Sequence, residues 1–196
     1  GKNTAPAIAL AAMSLLEKQN DPILLVLSAD HIIENKIKFQ SSIETASKQA
    51  DLGKIVALGI KPSKPEIGYG YIKVDNSSKN DNYKIISFTE KPSYINAKNY
   101  IESQNYYWNS GIFLFKASTY LNELEKHESE IYSSCKKSFT SIPKDLDFIR
   151  IDLEAFTKCP EKSIDYAVME KTNKGVVVPF DGHWRDVGSW QALWES

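Results

Sequence analysis

The first third of the chain alternates between segments of helical period and uninterrupted apolar runs. In Ala5–Gln19, apolar residues recur every three or four positions, which predicts a helix. Thr4 is suited to cap this helix, and Pro6 to occupy its first turn. Ile23–Leu27 and Ile55–Ile60 are continuous apolar runs, which are typical of strands covered on both faces. These segments therefore predict one helix and two buried strands.

A second helical pattern, Asn35–Leu52, separates the two apolar runs and ends near Gly53. This order of elements implies a right-handed crossover and parallel strands. The later pattern predicts a hairpin of Gly70–Val74 and Tyr83–Thr89 around the polar loop 75–82, strands at Gly111–Phe115 and Val176–Pro179, and helices at Ile95–Ser103, Thr119–Lys136, Asp147–Phe156, Asp165–Lys171 and Gly188–Trp194. Taken together, the pattern predicts an α/β fold with a mixed central sheet.

Composition narrows the class of protein. The 196 residues carry 24 Lys and Arg against 25 Asp and Glu, and this balance argues against a basic nucleic-acid-binding face. No apolar run approaches the roughly 20 residues that span a bilayer. Cys135 and Cys159 have no metal-ligand spacing, and we interpret both as reduced packing residues of a cytoplasmic protein.

Two aspartates follow or adjoin predicted strands. Asp30 comes three residues after the end of Ile23–Leu27, and Asp186 lies in a Trp-Arg-Asp-Val-Gly stretch near the end of the chain. Ligands of open α/β sheets bind at the carboxyl ends of strands, and carboxylates there can hold Mg²⁺ against phosphate groups. Each aspartate is also suited to cap a helix, so position alone leaves both roles open. As a pair, the two can clamp one ion.

Glu90-Lys91-Pro92 ends another predicted strand. Lys91 can neutralise a phosphate and Glu90 can accept hydrogen bonds from sugar hydroxyls, whereas the alternative is an exposed ion pair of little energetic value. Pro92 is expected to hold Lys91 in extended geometry.

Small and polar residues mark two further candidate ligand contacts. Tyr69 and Gly70 open a predicted strand, where glycine permits either close approach of a ligand or a tight turn. Asn109 and Gly111 are similarly ambiguous, because an asparagine can bind a sugar diol or satisfy neighbouring backbone groups.

The histidines and aromatic residues give weaker signals. His31, His127 and His183 do not cluster in sequence, and the charged neighbours of His127 favour a solvated helix face. The tryptophans and the Tyr106-Tyr107-Trp108 run are more typical of a core or an interface than of a base-stacking platform.

Seven of these stretches occur in the same order in one family. The chain resembles the mannose-1-phosphate guanylyltransferases, a branch of the sugar-nucleotide pyrophosphorylases. The resemblance is carried by Gly1–Ala7, Leu27–His31, Gly68–Ile72, Phe88–Pro92, Trp108–Phe113, Ser163–Lys171 and Trp184–Trp190. It covers nearly the whole chain, and although each motif is weak alone, the ordered set is specific.

The resemblance implies a Rossmann-like nucleotidyltransferase domain that converts GTP and mannose 1-phosphate into GDP-mannose and pyrophosphate. It implies that Asp30 and Asp186 coordinate Mg²⁺ and, together with Lys91, form the catalytic set. The implied sugar-phosphate ligands are Tyr69, Gly70, Glu90, Lys91, Asn109 and Gly111, and the implied guanine contacts are Asn3, Thr4 and Ala5. A homodimer is left open, and no nucleic acid or membrane partner is expected.

The family pattern begins with a Gly-rich loop, followed by arginine and then lysine, whose backbone N–H groups would hold the GTP phosphates. This chain contains no such loop. The resemblance therefore implies an N-terminally truncated domain over residues 1–196, without a C-terminal β-rich domain, that has little or no transferase activity by itself. The alternatives are a pyrophosphorylase for glucose 1-phosphate with UTP or dTTP, a non-catalytic sugar-phosphate-binding regulatory module, and a scaffold.

Overall fold

The fold is described from a computed structural model, which covers residues 1–77, 82–140 and 150–187; for Thr140 it describes the backbone only. The helix predicted at 188–194, residues 147–149 of another and part of the predicted loop 75–82 lie outside these ranges. The helices are α1 (Thr4–Leu16), α2 (Lys36–Asp51), α3 (Tyr94–Glu102), α4 (Ala117–His127), α5 (Ser129–Thr140) and α6 (Leu153–Thr157), with a π-helical turn at Asp165–Met169. The strands are β1 (Ile23–Val26), β2 (His31–Ile33), β3 (Ile55–Ile60), β4 (Tyr71–Val74), β5 (Tyr83–Thr89), β6 (Tyr106–Lys116), β7 (Gly175–Pro179) and β8 (Trp184–Asp186).

The chain divides into two compact units. The first, a helical unit, comprises residues 1–24 and 116–172, and the second, a sheet unit, comprises residues 25–115 and 173–196. Within the described ranges, no helix is long and apolar enough to cross a membrane.

In the helical unit, α1 packs against α4 and α5. The cap of α1 is Asn3, whose side chain accepts a hydrogen bond from the Thr4 amide at 2.8 Å, so the prediction of Thr4 as the cap was wrong by one residue. The Thr4 hydroxyl instead accepts from the Ile164 amide at 2.9 Å. Thr4 thereby ties the start of α1 to the segment before the π-helical turn.

The single helix predicted for Thr119–Lys136 is interrupted at Glu128 (φ −144°, ψ 60°) and forms α4 and α5. Leu124 and Ile131 are seven residues apart, or about two helical turns, so the apolar stripe continues across the break and conceals it. His127 is also less solvated than predicted, because its Nε2 lies 3.3 Å from the buried carboxylate of Glu123.

The Glu128 side chain joins the α4–α5 corner to the last segment of the helical unit. Its carboxylate accepts hydrogen bonds from Lys162 Nζ at 2.7 Å and from Lys171 Nζ, and only 15% of the side chain is exposed. Burial raises the pKa of Glu128, but the hydrogen bonds and charges of the two lysines outweigh burial, so its pKa is lowered overall. The ionised carboxylate therefore stabilises the folded unit.

Replacing Glu128 by Gln is expected to lower the free energy of unfolding at pH 7 by about 1–3 kcal/mol, because charge-assisted hydrogen bonds are lost. A folded-state pKa below the unfolded value gives stability that is present above the unfolded pKa and is lost as the pH falls through the folded pKa. The difference between wild type and variant should therefore shrink as the pH falls from about 5 towards about 3. Urea unfolding of both proteins across this pH range measures the difference in free energy of unfolding.

Glu154→Gln is the matched control, because Glu154 pairs with Lys158 at 3.6 Å while both side chains are more than two-thirds exposed. Such an exposed pair contributes little to the free energy of unfolding. If both variants lost the same free energy of unfolding at pH 7, the Glu128 contacts would not stabilise the unit.

In the sheet unit, the strand order is β1-β6-β3-β7-β5-β4, and β4 also pairs with β6. Strands β6, β3, β7, β5 and β4 thus form a closed circuit. β3 is almost completely buried and runs parallel to β7 but antiparallel to β6, which confirms the mixed sheet. β6 lies between β1 and β3, so these two strands are not hydrogen-bonded neighbours.

β6 has 11 residues and begins at Tyr106, five residues before the predicted start at Gly111. Its polar members Asn109 and Ser110 weaken the apolar run in sequence, but the buried Ser110 hydroxyl donates to the Leu58 carbonyl at 2.7 Å. The first part of β6 pairs with β4, so this strand connects the two ends of the circuit.

A two-stranded antiparallel ribbon, β2–β8, was not predicted. Each strand has three residues, and the register pairs His31 with Asp186 and Ile33 with Trp184. The ribbon is extended by hydrogen bonds from the Val187 amide to the Asp30 carbonyl and from the Glu34 amide to the His183 carbonyl. It brings together two segments from distant parts of the sequence.

Candidate active site

The β2–β8 ribbon assembles a cluster of three potential metal ligands. Asp30, His31 and Asp186 each offer one ligand atom, and all three atoms lie within 4.8 Å of one another. His31 and Asp186 are directly opposite in the antiparallel register, which places their side chains on the same face. The structure thus brings the two predicted aspartates together. Asp30 does not cap α2, because Asn35 caps it.

His31 is the member of the cluster that the sequence analysis missed. Burial lowers its pKa, against the opposite influence of Asp186 and Asp30, so the imidazole is neutral near pH 7. Its Nδ1 is buried and has no hydrogen-bond partner among the described residues. A neutral imidazole beside two carboxylates is a donor set that suits a divalent cation. Its position next to Asp30 was the available signal.

A row of aromatic rings adjoins the cluster. Trp184 contacts His31 edge-to-face at 5.1 Å between centroids and Tyr69 at 5.3 Å, and Tyr69 contacts Trp108 at 5.4 Å. Burial raises the pKa of Tyr69, and the charges of Asp186 and Glu66 add to this effect. Tyr69, predicted to bind substrate, therefore lies beside the carboxylate cluster. Trp108 is buried in the aromatic core of the sheet unit, as predicted.

Glu90 and Lys91 follow the end of β5. Their charged groups are 3.9 Å apart, with 16% of the Glu90 side chain and 66% of the Lys91 side chain exposed. Glu90 is therefore not part of an ordinary exposed pair. Lys91 has a φ of 45°, in the left-handed region, so the extended geometry expected from Pro92 was wrong. A positive φ is uncommon for a lysine, and such strain concentrates at functional sites.

Gly70 lies where a side chain would collide with Glu90. A Cβ at this position would be 2.5 Å from Glu90 Oε2 and 3.3 Å from Asn109 Cβ. The Asn109 amide donates to the Gly70 carbonyl at 2.8 Å, so the three residues form one group in the sheet unit. The φ of Gly70 is not in the left-handed region, so the close approach of Glu90, and not the backbone conformation, is what a side chain here would disturb.

Gly111 connects this group to the carboxylate cluster. Its φ is 71°, its amide donates to Asn109 Oδ1 at 3.2 Å, and a Cβ here would lie 3.5 Å from His31 Cε1. Asn109 therefore satisfies a local backbone group, which was one of the two roles left open for it.

The predicted guanine contacts lie in the helical unit. Asn3 borders a groove of about 690 Å³ that is also lined by Ser163 and Tyr166. The side chain of Ala5 is buried, its amide donates to the Lys162 carbonyl and its carbonyl accepts from Tyr120 Oη. Nothing in the geometry of the groove tests nucleotide binding, so Asn3, Thr4 and Ala5 stay a prediction.

The nucleotidyl transferase family matches residues 1–196. The chain belongs to this family. It is 52% identical over 197 residues to the mannose-1-phosphate guanylyltransferase of Salmonella typhimurium, covering all of this chain and 41% of that protein. It is 48% identical over 201 residues to the mannose-1-phosphate guanylyltransferase of Escherichia coli, covering all of this chain and 42% of that protein.

A solved structure supports the fold of this nucleotidyl transferase domain. The Thermus thermophilus protein described as a mannose-1-phosphate geranyltransferase has a TM-score of 0.86 and 33% identity, covering 98% of this chain and 54% of that one. The mixed α/β fold expected from the resemblance is thereby confirmed. The chain spans about two-fifths of the length of the curated relatives it matches.

Proposed function

We propose that the protein containing this chain transfers a guanylyl group from GTP to mannose 1-phosphate and releases pyrophosphate. The observation that carries the proposal is the convergence of Asp30, His31 and Asp186, in a chain that aligns along its whole length with guanylyltransferases of this substrate. GTP binding, a bound Mg²⁺ and a cytoplasmic location belong to the same proposal.

The reaction needs no nucleophile from the protein. A phosphate oxygen of mannose 1-phosphate forms a bond to the α-phosphorus of GTP, while the bond from that phosphorus to the bridging oxygen of the β-phosphate breaks. Pyrophosphate leaves with that bonding pair. The protein contributes positioning and neutralisation of charge, as in other phosphoryl transfers.

Asp30 and Asp186 would hold the Mg²⁺. Their carboxylate oxygens are the donors that this hard cation prefers, and their closeness fits a single ion. When bound, the ion offsets negative charge at the phosphates. Asp186 lies in β8 and Asp30 directly precedes β2, so the pairing of these two strands brings the carboxylates together.

The sugar phosphate would bind at the group formed by Gly70, Glu90 and Asn109, together with Lys91. Glu90 would accept hydrogen bonds from sugar hydroxyls, and the exposed ammonium of Lys91 would hold the acceptor phosphate as a compact positive charge. The Asn109 amide group and Tyr69 would border the same sugar, and the absence of a side chain at Gly70 lets Glu90 Oε2 approach to 2.5 Å from the place where a Cβ would be.

A substrate panel tests the proposal. Pyrophosphate release should be measured on the whole protein that contains this chain, with mannose 1-phosphate or glucose 1-phosphate paired with GTP, UTP or dTTP. The expected result is turnover that is highest for GTP with mannose 1-phosphate and that is abolished by removal of divalent cations. Preference for glucose 1-phosphate with UTP or dTTP, or metal-independent binding without turnover, would overturn it.

A further inference from the structure

The imidazole of His31 gives the carboxylate cluster a nitrogen donor that the proposed transfer does not require. Its partner in the β2–β8 register is Asp186, and one ring nitrogen lies within 4.8 Å of the carboxylate oxygens of both aspartates. Ligands bonded to one ion at about 2.1 Å are roughly 3 to 4 Å apart. Small side-chain adjustments would therefore bring all three donors onto one ion.

The His31 ring is held in place by neighbours that do not use its nitrogens. Trp184 contacts the ring edge-to-face. Gly111 lies on another side of it, since a Cβ at Gly111 would be 3.5 Å from His31 Cε1. Nδ1 is buried without a hydrogen-bond partner among the residues described. Buried polar atoms are nearly always satisfied, so the unpartnered Nδ1 of a ring that adjoins two carboxylates points to a missing ligand at this cluster.

We propose that His31 is a third ligand of the divalent cation held by Asp30 and Asp186, and that its nitrogen donor strengthens the binding of Mn²⁺ more than the binding of Mg²⁺. The inference rests on the proposed function for the existence of the ion site. Imidazole suits first-row transition ions, whereas Mg²⁺ prefers oxygen donors alone. His31 thus changes the relative affinity of the site for Mn²⁺ and Mg²⁺.

Electron spin-echo measurements on the Mn²⁺ complex of the whole protein, without nucleotide, test nitrogen ligation directly. The expected spectrum shows modulation from a bound ¹⁴N nucleus that changes when the protein's histidines are labelled with ¹⁵N. This readout needs neither a variant nor activity. The modulation should disappear in His31→Phe, which keeps an aromatic ring against Trp184, and persist in the control His183→Asn.

His183 suits the control because it is exposed, lies three residues from Asp186 and has a φ of 53°, which asparagine tolerates. In titration calorimetry, His31→Phe should weaken Mn²⁺ binding about tenfold or more and Mg²⁺ binding by less than about threefold. Mn²⁺ binding that depends on Asp186 but shows no ¹⁴N modulation would overturn the assignment of His31 and leave the proposed function intact. Mn²⁺ binding that is unaffected by Asp186→Asn would instead remove the ion site from the proposed function.

Discussion

Asp186→Asn is expected to lower the rate of guanylyl transfer by about 100-fold to 1,000-fold, because the site loses one of two charges that hold the cation. Asparagine keeps the size of the side chain and can still accept one hydrogen bond. The β2–β8 register is made by the backbone, so the ribbon should persist. The loss should therefore appear as weakened metal binding and a slower chemical step, with thermal stability retained.

The measurement is pyrophosphate release from the whole protein as a function of Mg²⁺ concentration. Asp181→Asn is the matched control, since it makes the same charge change five residues away, at a side chain that is 92% exposed and paired with Lys38. The control should stay within about twofold of wild type, because exposed pairs contribute little. Near wild-type turnover of Asp186→Asn at limiting Mg²⁺ would exclude this residue from the metal site.

Gly70→Ala is expected to lower kcat/KM for the sugar phosphate by about 10-fold to 100-fold, because misplacement of a binding group by about 1 Å can be this costly. The new Cβ would lie 2.5 Å from Glu90 Oε2, so the carboxylate must move. Asn109 Cβ and Phe88 Cε1, each at 3.3 Å, restrict any shift of Gly70 itself. Since the end of the Glu90 side chain can rotate, the effect should fall on KM more than on stability.

Gly68→Ala controls for the loss of backbone freedom in the same loop. A Cβ there would meet only Glu66 Oε1, at an ordinary 3.5 Å. Steady-state kinetics with varied sugar phosphate, alongside thermal melting, separates the two variants. Equal KM values for Gly68→Ala and Gly70→Ala would contradict the assignment of Glu90 to the sugar.

Elements with a strong local signal could be predicted from the sequence. Ile55–Ile60 matches β3 residue for residue, and the hairpin of β4 and β5 matches within one residue, because continuous or alternating apolar positions report burial directly. The break at Glu128 was missed because it is stabilised by lysines more than 30 residues away along the chain. Local periodicity carries no information about such partners.

The candidate site divides in the same way. The two aspartates could be selected because each adjoins a strand, but their closeness depends on β2 and β8, which are too short to have a recognisable period. His31 was overlooked for the same reason, since its partner Asp186 lies near the other end of the chain. Residues that precede a proline favour extended geometry, but Lys91 has a left-handed φ. This exception could not be predicted from the sequence.

The central claim is that Asp30 and Asp186 hold one divalent cation. Anomalous diffraction from crystals of the whole protein soaked with Mn²⁺ tests it most directly. We expect a single strong peak within about 2.3 Å of a carboxylate oxygen from each aspartate. An anomalous peak that contacts neither carboxylate would contradict the account. So would the absence of any peak between Asp30 and Asp186 at saturating Mn²⁺.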